Sequence, residues 1–261
     1  MLYENNQSDR WIFPASCGKI NLIKMGQKAA AAQKRRRAPV SGREITMEEL
    51  SNKEIQKRRM LSYFIEATQQ VIEEEGVLGV SIRKVAKKAG YNSATIYNYF
   101  KDIDQLVLLA SMKYLRSYTI ALNAQIKEDR DPRQNYLDVW KFFAQSALEH
   151  PNTFNNLFFS RHSNRLNDVV QLYYSVFPDE VGTHASIIDE MFSGQDIWER
   201  NQRLLLPLVR AGVLTEEQAD IVNDISVSCF HSILERKCQD ESLDNQPLID
   251  RLMRILEYAL G

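Results

Sequence analysis

Residues 81–100, Ser-Ile-Arg-Lys-Val-Ala-Lys-Lys-Ala-Gly-Tyr-Asn-Ser-Ala-Thr-Ile-Tyr-Asn-Tyr-Phe, constrain this chain more than any other stretch. Ile82, Val85, Ala86 and Ala89 recur at i, i+3, i+4 and i+7, the apolar stripe of a helix facing a core. Arg83, Lys84, Lys87 and Lys88 fall on the other side, for solvent or for phosphate. Ser81 suits the N-cap and Gly90 the left-handed residue that closes the helix. Beyond the turn, Ile96 and Phe100 anchor a second helix, leaving Ser93, Ala94, Tyr97, Asn98 and Lys101 on its other faces. Two short helices broken at a glycine, the second presenting hydroxyl, amide and phenol groups, read as a helix-turn-helix that can enter a major groove. The plainer reading of these residues is an ordinary helical hairpin.

The surrounding residues favour the first reading. Ser81, Ile82, Arg83, Val85, Ala86, Ala89, Gly90, Thr95, Ile96, Tyr97, Tyr99 and Phe100 fall in one pattern, followed by a polar cap and a long helix. On these residues the stretch Ser81 to Leu109 resembles the DNA-binding segment of TetR-type (tetracycline-repressor family) regulators, the Thr95-Ile96-Tyr97 and Tyr99-Phe100 block being its specific part. Many members carry a lysine at the start of the next helix, where this chain has Ile103; Lys101, two residues earlier, is expected to supply that phosphate contact. The resemblance implies an all-α protein: an N-terminal three-helix reader, then a helical domain that binds a small-molecule inducer and dimerises. It also implies that Thr95, Tyr97 and Tyr99 lie at the DNA.

Charge is divided along the chain in the same sense. Residues 1–101 hold 18 Lys/Arg against 10 Asp/Glu, and residues 102–261 hold 15 against 24, although the net charge is only −1. A basic front end attracts phosphate through counterion release, while an acidic remainder is repelled by it and should sit away from DNA. No uninterrupted apolar run approaches 18 residues, so no membrane partner is expected. Cys17, Cys229 and Cys238 give neither an even disulfide framework nor a Cys-x-x-Cys spacing, which fits a reducing cytoplasm. His150, His162, His184 and His231 are scattered, and the chain has neither a Gly-x-x-x-x-Gly-Lys loop nor a Gly-x-Ser-x-Gly elbow. An enzyme, a metal and a cofactor are therefore not expected.

Three regions follow. Residues 1–46 have no sustained period and contain the Lys34-Arg35-Arg36-Arg37 cluster, so a basic, disordered extension is expected. Such an arm either lies along phosphates or is a solvated extension upstream of another start, Met25 or Met47. The reader spans residues 51–101, opening at Ser51 with cap spacing to Glu54 and braced by the stripe Leu61, Phe64, Ile65, Thr68, Val71 and Ile72. Residues 102–261 form the effector and dimerisation domain. Its helices are predicted from Ile103 to about Lys127, from Pro132 to near Pro151, over 152–160 and 166–177, from Ala185 to Arg210 with a bend or break at Gly194 or Pro207, from Thr215 to Lys237, and from Pro247 to Leu260.

For DNA, Asn98 is suited to paired amide bonds with adenine, Ala94 and the Thr95 methyl to a thymine methyl, and Tyr97 to sugar or base edges. Ser93, Thr95, Tyr99 and Lys101, with Arg83 and Lys84, suit phosphate oxygens. For the effector, Trp140, Phe143, Phe158, Tyr173 and Trp198 are candidate walls and Asn155 and His162 candidate polar handles, against the reading that these residues are simply core. For a homodimer, Val222, Ser226, Cys229 and Ile233 form one strip and Leu248, Leu252, Ile255, Leu256 and Ala259 another, unless both pack only within their own chain. The combined expectation is a cytoplasmic repressor, released from a palindromic operator by a small molecule. A DNA-binding structural or partner-regulated protein without an effector is the alternative.

Overall fold

The computed structural model describes residues 52–125, 130–161, 163–180 and 190–261. The basic N-terminal extension, the Ser51 cap and His162 lie outside the described residues. Among the described residues every regular element is helical, as the all-α expectation required.

Helix α1, Asn52–Glu75, buries the predicted stripe Leu61, Phe64, Ile65, Thr68, Val71 and Ile72. Helix α2, Ile82–Ala89, starts where the Ser81 side chain accepts the Lys84 amide and ends at Gly90, whose φ of 75° lies in the left-handed region that glycine adopts without a Cβ penalty. Helix α3 is only Ser93–Ile96, capped by the Asn92 side chain. Its continuation to Phe100 is a run of turns in which the Asn98 amide bonds Thr95, and the Tyr99 and Phe100 amides both bond Ile96.

Phe64 is fully buried at the centre of these three helices. Its ring meets Tyr91, Tyr99 and Phe100 at centroid separations of 5.4, 5.9 and 6.1 Å. These are edge and tilted contacts within the favoured range for aromatic pairs. Lys88 adds an ion pair from α2 back to Glu74 of α1, 2.6 Å long.

Helix α4, Ile103–Gln125, is the seam between head and body. The Asp102 carboxylate accepts the Gln105 amide and the Gln105 side chain accepts the Lys101 amide, a reciprocal cap of the expected spacing. Residues 105–112 are buried without interruption, because α4 packs on α1 and also on the body. The body comprises α5 (Pro132–Glu149), α6 (Pro151–Phe159), α7 (Leu166–Val176), α8 (Ile197–Arg210), α9 (Glu216–Gln239) and α10 (Asn245–Leu260). Asp131 with Pro132 opens α5, and the Thr215 and Gln218 capping box opens α9, both as the sequence pattern requires. The last helix begins at Asn245 rather than Pro247, because the Asp244 side chain supplies its cap.

Removing the Phe64 ring should destabilise the fold by about 3–5 kcal/mol, because three aromatic partners cannot collapse onto an alanine. The exposed neighbour Tyr63, changed to alanine, should shift stability by no more than about 0.5 kcal/mol. Urea unfolding of Phe64→Ala and Tyr63→Ala checks the contrast; equal losses would contradict the packing described.

Candidate nucleic-acid interface and buried cavity

The outward face of the second reader helix is small and polar. Ala94, Tyr97 and Asn98 are exposed, Tyr97 at 56%, while Ile96 and Phe100 are buried beneath them. Ala94 lies on α3 and Tyr97 and Asn98 in the turns that continue it, all three exposed. Asn92 holds this face in register: its Oδ1 accepts the Thr95 amide at 3.0 Å and the Thr95 hydroxyl at 3.2 Å. Ser93 and Thr95 are half-buried beside it, and Lys101 is exposed at its end. The Tyr99 ring turns in toward Phe64, leaving it half-buried at the rim.

The basic residues of α2 divide in two. Arg83 and Lys87 are exposed. Lys84 donates to the Glu75 carboxylate and, at 2.7 Å, to the Gly79 carbonyl, so its charge is already engaged within the head. Sequence periodicity cannot anticipate this, because Glu75 and Gly79 reach Lys84 only once the turn between α1 and α2 has formed.

The body contains a cavity with about 40 Å³ of free space, lined by Leu115 and Tyr118 of α4, Trp140 and Phe143 of α5, Phe158 of α6, and Arg200, Asn201 and Leu204 of α8, among others. Phe143 is its aromatic hub, lying 5.4 Å from Tyr118, 5.8 Å from Trp140 and 5.1 Å from Phe158 between ring centroids. The polar wall is ordered. Trp140 Nε1 donates to Asn201 Oδ1 at 2.9 Å, and Asn201 Nδ2 donates to Asn223 Oδ1 at 2.9 Å. Beside this chain, Tyr136 and Ser226 share a buried hydroxyl bond of 2.8 Å.

Of the candidate effector residues, the structure brings Trp140, Phe143 and Phe158 together on this cavity. Tyr173 lies elsewhere, its hydroxyl donating to Glu180 at 2.7 Å. Trp198 is 38% exposed, because it faces away from the buried Ile197, Arg200 and Asn201 side of α8. Asn155 is half-buried on α6 and does not line the cavity. The sequence reading missed Tyr118, Arg200 and Asn201. The signal available was a polar pair, Arg200 and Asn201, within the apolar stripe Ile197, Leu204, Leu205 and Leu208.

The two candidate dimer strips are largely covered within the chain. Val222, Ser226, Ile233, Leu248, Leu252 and Leu256 are buried inside their own chain, where α9 packs on α6, α8 and α10, and α10 packs on α5. A side chain with no surface left cannot be covered by a second copy. Cys229, Ile255 and Ala259 keep partial exposure. The outward face of α9 instead carries Ile221, Ile225, Ser228 and Ser232 at i, i+4, i+7 and i+11, and α10 presents Ile255 and Tyr258.

A short capped helix exposing Ala94, with Tyr97 and Asn98 exposed just beyond it, over the buried Ile96 and Phe100 is joined to a cavity-bearing helical body. Residues 64–110 match the family model for bacterial regulatory proteins of the tetR family. The fatty acid metabolism regulator protein of Bacillus subtilis (strain 168) is 24% identical over 176 residues, covering 64% of this chain and 90% of that protein. The HTH-type transcriptional regulator BetI of Proteus mirabilis is 28% identical over 108 residues, 34% of this chain and 54% of BetI. Among solved structures, RolR in complex with resorcinol has a TM-score of 0.52 at 19% identity, covering 79% of this chain and 94% of RolR, a likeness of fold. Over residues 64–110 the chain is similar to bacterial regulatory proteins of the tetR family, and the relatives it matches are named as regulators.

Asn92→Ala removes the cap of α3 and should cost about 1 kcal/mol of stability. Because the cap orients the whole reading face, this variant should weaken binding to preferred and random duplexes together. A fluorescence-anisotropy titration that found one duplex unaffected would refute that role.

Proposed function

We propose that the protein is a homodimeric repressor that leaves a palindromic operator when a small molecule occupies the aromatic cavity. The observation that carries this reading is the exposed Ala94, Tyr97 and Asn98 face, fixed by Asn92 from one side and by buried Ile96 and Phe100 from the other. Such a face can enter a major groove, with Asn98 bonding an adenine and the residues around it bonding phosphates. One helix this short makes few contacts. Two copies about a twofold axis, with recognition helices about 34 Å apart, would read successive grooves of an inverted repeat. The outer α9 and α10 faces, with Ile221 and Tyr258 exposed and Ile225 and Ile255 half-buried, are the surface assigned to that contact.

The reader domain is assigned to residues 51–101 and the effector and dimer domain to residues 102–261. The coupling route runs through α4 and α6. Helix α4 follows directly from the reading segment and, further along, contributes Leu115 and Tyr118 to the cavity wall. Helix α6 contributes Phe158, and just past its end Arg161 donates to both Asp102 and Asp104 at 3.0 Å, where α4 begins. On a second side, Arg58 of α1 donates to the Val176 carbonyl at the end of α7, at 2.9 Å. A ligand that opens the cavity moves Phe158 against Tyr118 and shifts α4 relative to the body, so the two readers lose their groove spacing.

Two outcomes are expected. Selection from random duplexes should recover an inverted repeat, and Asn98→Ala should reduce discrimination at one base of each half-site by about 1–3 kcal/mol while leaving other positions unchanged. Uniform weakening at every position would remove the base-reading role. Ile225→Glu should convert the dimer to monomer in analytical ultracentrifugation and abolish operator binding; an unchanged dimer would place the interface elsewhere.

A further inference from the structure

Among the described residues, the cavity wall holds a cation with no carboxylate in hydrogen-bond contact. Arg200 is 4% exposed and lines the cavity, yet its Nη2 atom has no hydrogen-bond partner. Its Nε donates to the Gly194 carbonyl at 3.2 Å, and its guanidinium carbon lies 4.8 Å from the Phe192 ring centroid. These contacts hold the head group in place but do not neutralise it. The nearby acid, Asp196, caps α8 by accepting the Glu199 amide at 2.9 Å.

The side chain is also built in. A Cβ on Gly194 would lie 2.7 Å from the Arg200 amide nitrogen, so only glycine lets this loop close over the start of α8. Burial lowers the guanidinium to about 10, with Tyr118 and Asp196 opposing the shift, and the group remains protonated at neutral pH. A buried charge is ordinarily paired, and a guanidinium whose Nη2 is left without a partner inside an aromatic cavity leaves a site for an anionic acceptor. The other polar lining groups are the Trp140 and Asn201 pair, which bond each other, and the Tyr118 hydroxyl; the remaining lining residues are apolar.

We propose that this cavity takes a compact carboxylate, its two oxygens on the Arg200 fork and its apolar body among Trp140, Phe143 and Phe158. The proposal rests on the effector reading of the cavity and specifies the chemical class of its ligand. Guanidinium supplies only donors, so the ligand must accept; the positive charge selects an acid over its alcohol. The limited free space selects a ring or a short chain, the cavity opening as it enters.

The test uses the full chain and two matched pairs, benzoate with benzyl alcohol and hexanoate with hexan-1-ol, titrated calorimetrically and by tryptophan fluorescence, with Trp140→Phe identifying the cavity signal. Each carboxylate should bind at least about tenfold more tightly than its alcohol, as expected for a charge-assisted bond. The ratio of benzoate to hexanoate affinity distinguishes a ring-bearing from a chain-bearing acid. Arg200→Met should retain alcohol binding and lose the preference for the acid; Arg200→Gln serves the same purpose if the methionine variant does not fold. Equal binding of acid and alcohol to the wild type, or a preference that survives both substitutions, overturns the carboxylate assignment and leaves the effector cavity standing. Failure of all four probes to alter the Trp140 signal overturns both.

Discussion

Helix α4 has no free side between Gln105 and Met112, and this one constraint ties the helical head to the body. Its run of buried residues from Gln105 to Met112 is covered by α1 of the head and by α6 and α7 of the body. A helix buried all round cannot shift against one neighbour without shifting against the others, since close-packed interiors repack in steps rather than deform smoothly. With 23 residues it extends roughly 35 Å at about 1.5 Å per residue, enough to connect the reader with the cavity without a flexible link. The polar ties at its ends are exposed and weak one by one, Arg161 being 65% exposed. They therefore set direction rather than strength, and the apolar seam carries the load.

The reader was legible because its information is local. A stripe at i, i+3, i+4 and i+7, a serine cap and a closing glycine all lie within a few residues, and each depends on backbone geometry that neighbouring residues determine. The body was legible only as helices. Trp198 and Arg200 stand two positions apart on α8, and composition alone favoured the tryptophan as a cavity wall. The helical rotation between them turns Trp198 to solvent and Arg200 inward. The apolar strips of α9 and α10 illustrate the same gap. Periodicity identifies which face of a helix is buried, but not whether the covering surface belongs to the same chain. Here α5, α6 and α8 cover what a second copy was expected to cover.

What the sequence did contain was a local conflict. Arg200 and Asn201 interrupt an otherwise apolar stripe, and such interruptions lower stability unless something compensates them. For Asn201 the compensation is internal, through Trp140 and Asn223. For Arg200 it is partial: one carbonyl and one ring face, with a donor left over. The two residues are adjacent, yet only one of them is satisfied by the fold.

That asymmetry bears on how a switch of this size can work. A ligand shifts a conformational equilibrium only by its difference in affinity for the two arrangements, however tightly it binds overall. An apolar body entering a nearly filled cavity gains burial but must displace the rings around Phe143, so packing alone gives a limited difference. An unpaired buried cation adds a term that exists only when the cavity is occupied by an acceptor. In the proposed complex that term would act on the cavity walls, which include Leu115 and Tyr118 of α4. Under the proposed effector reading, linkage requires that the same difference appear as weaker ligand binding to the operator-bound protein, which would make the buried charge and the face at 94–98 one thermodynamic system.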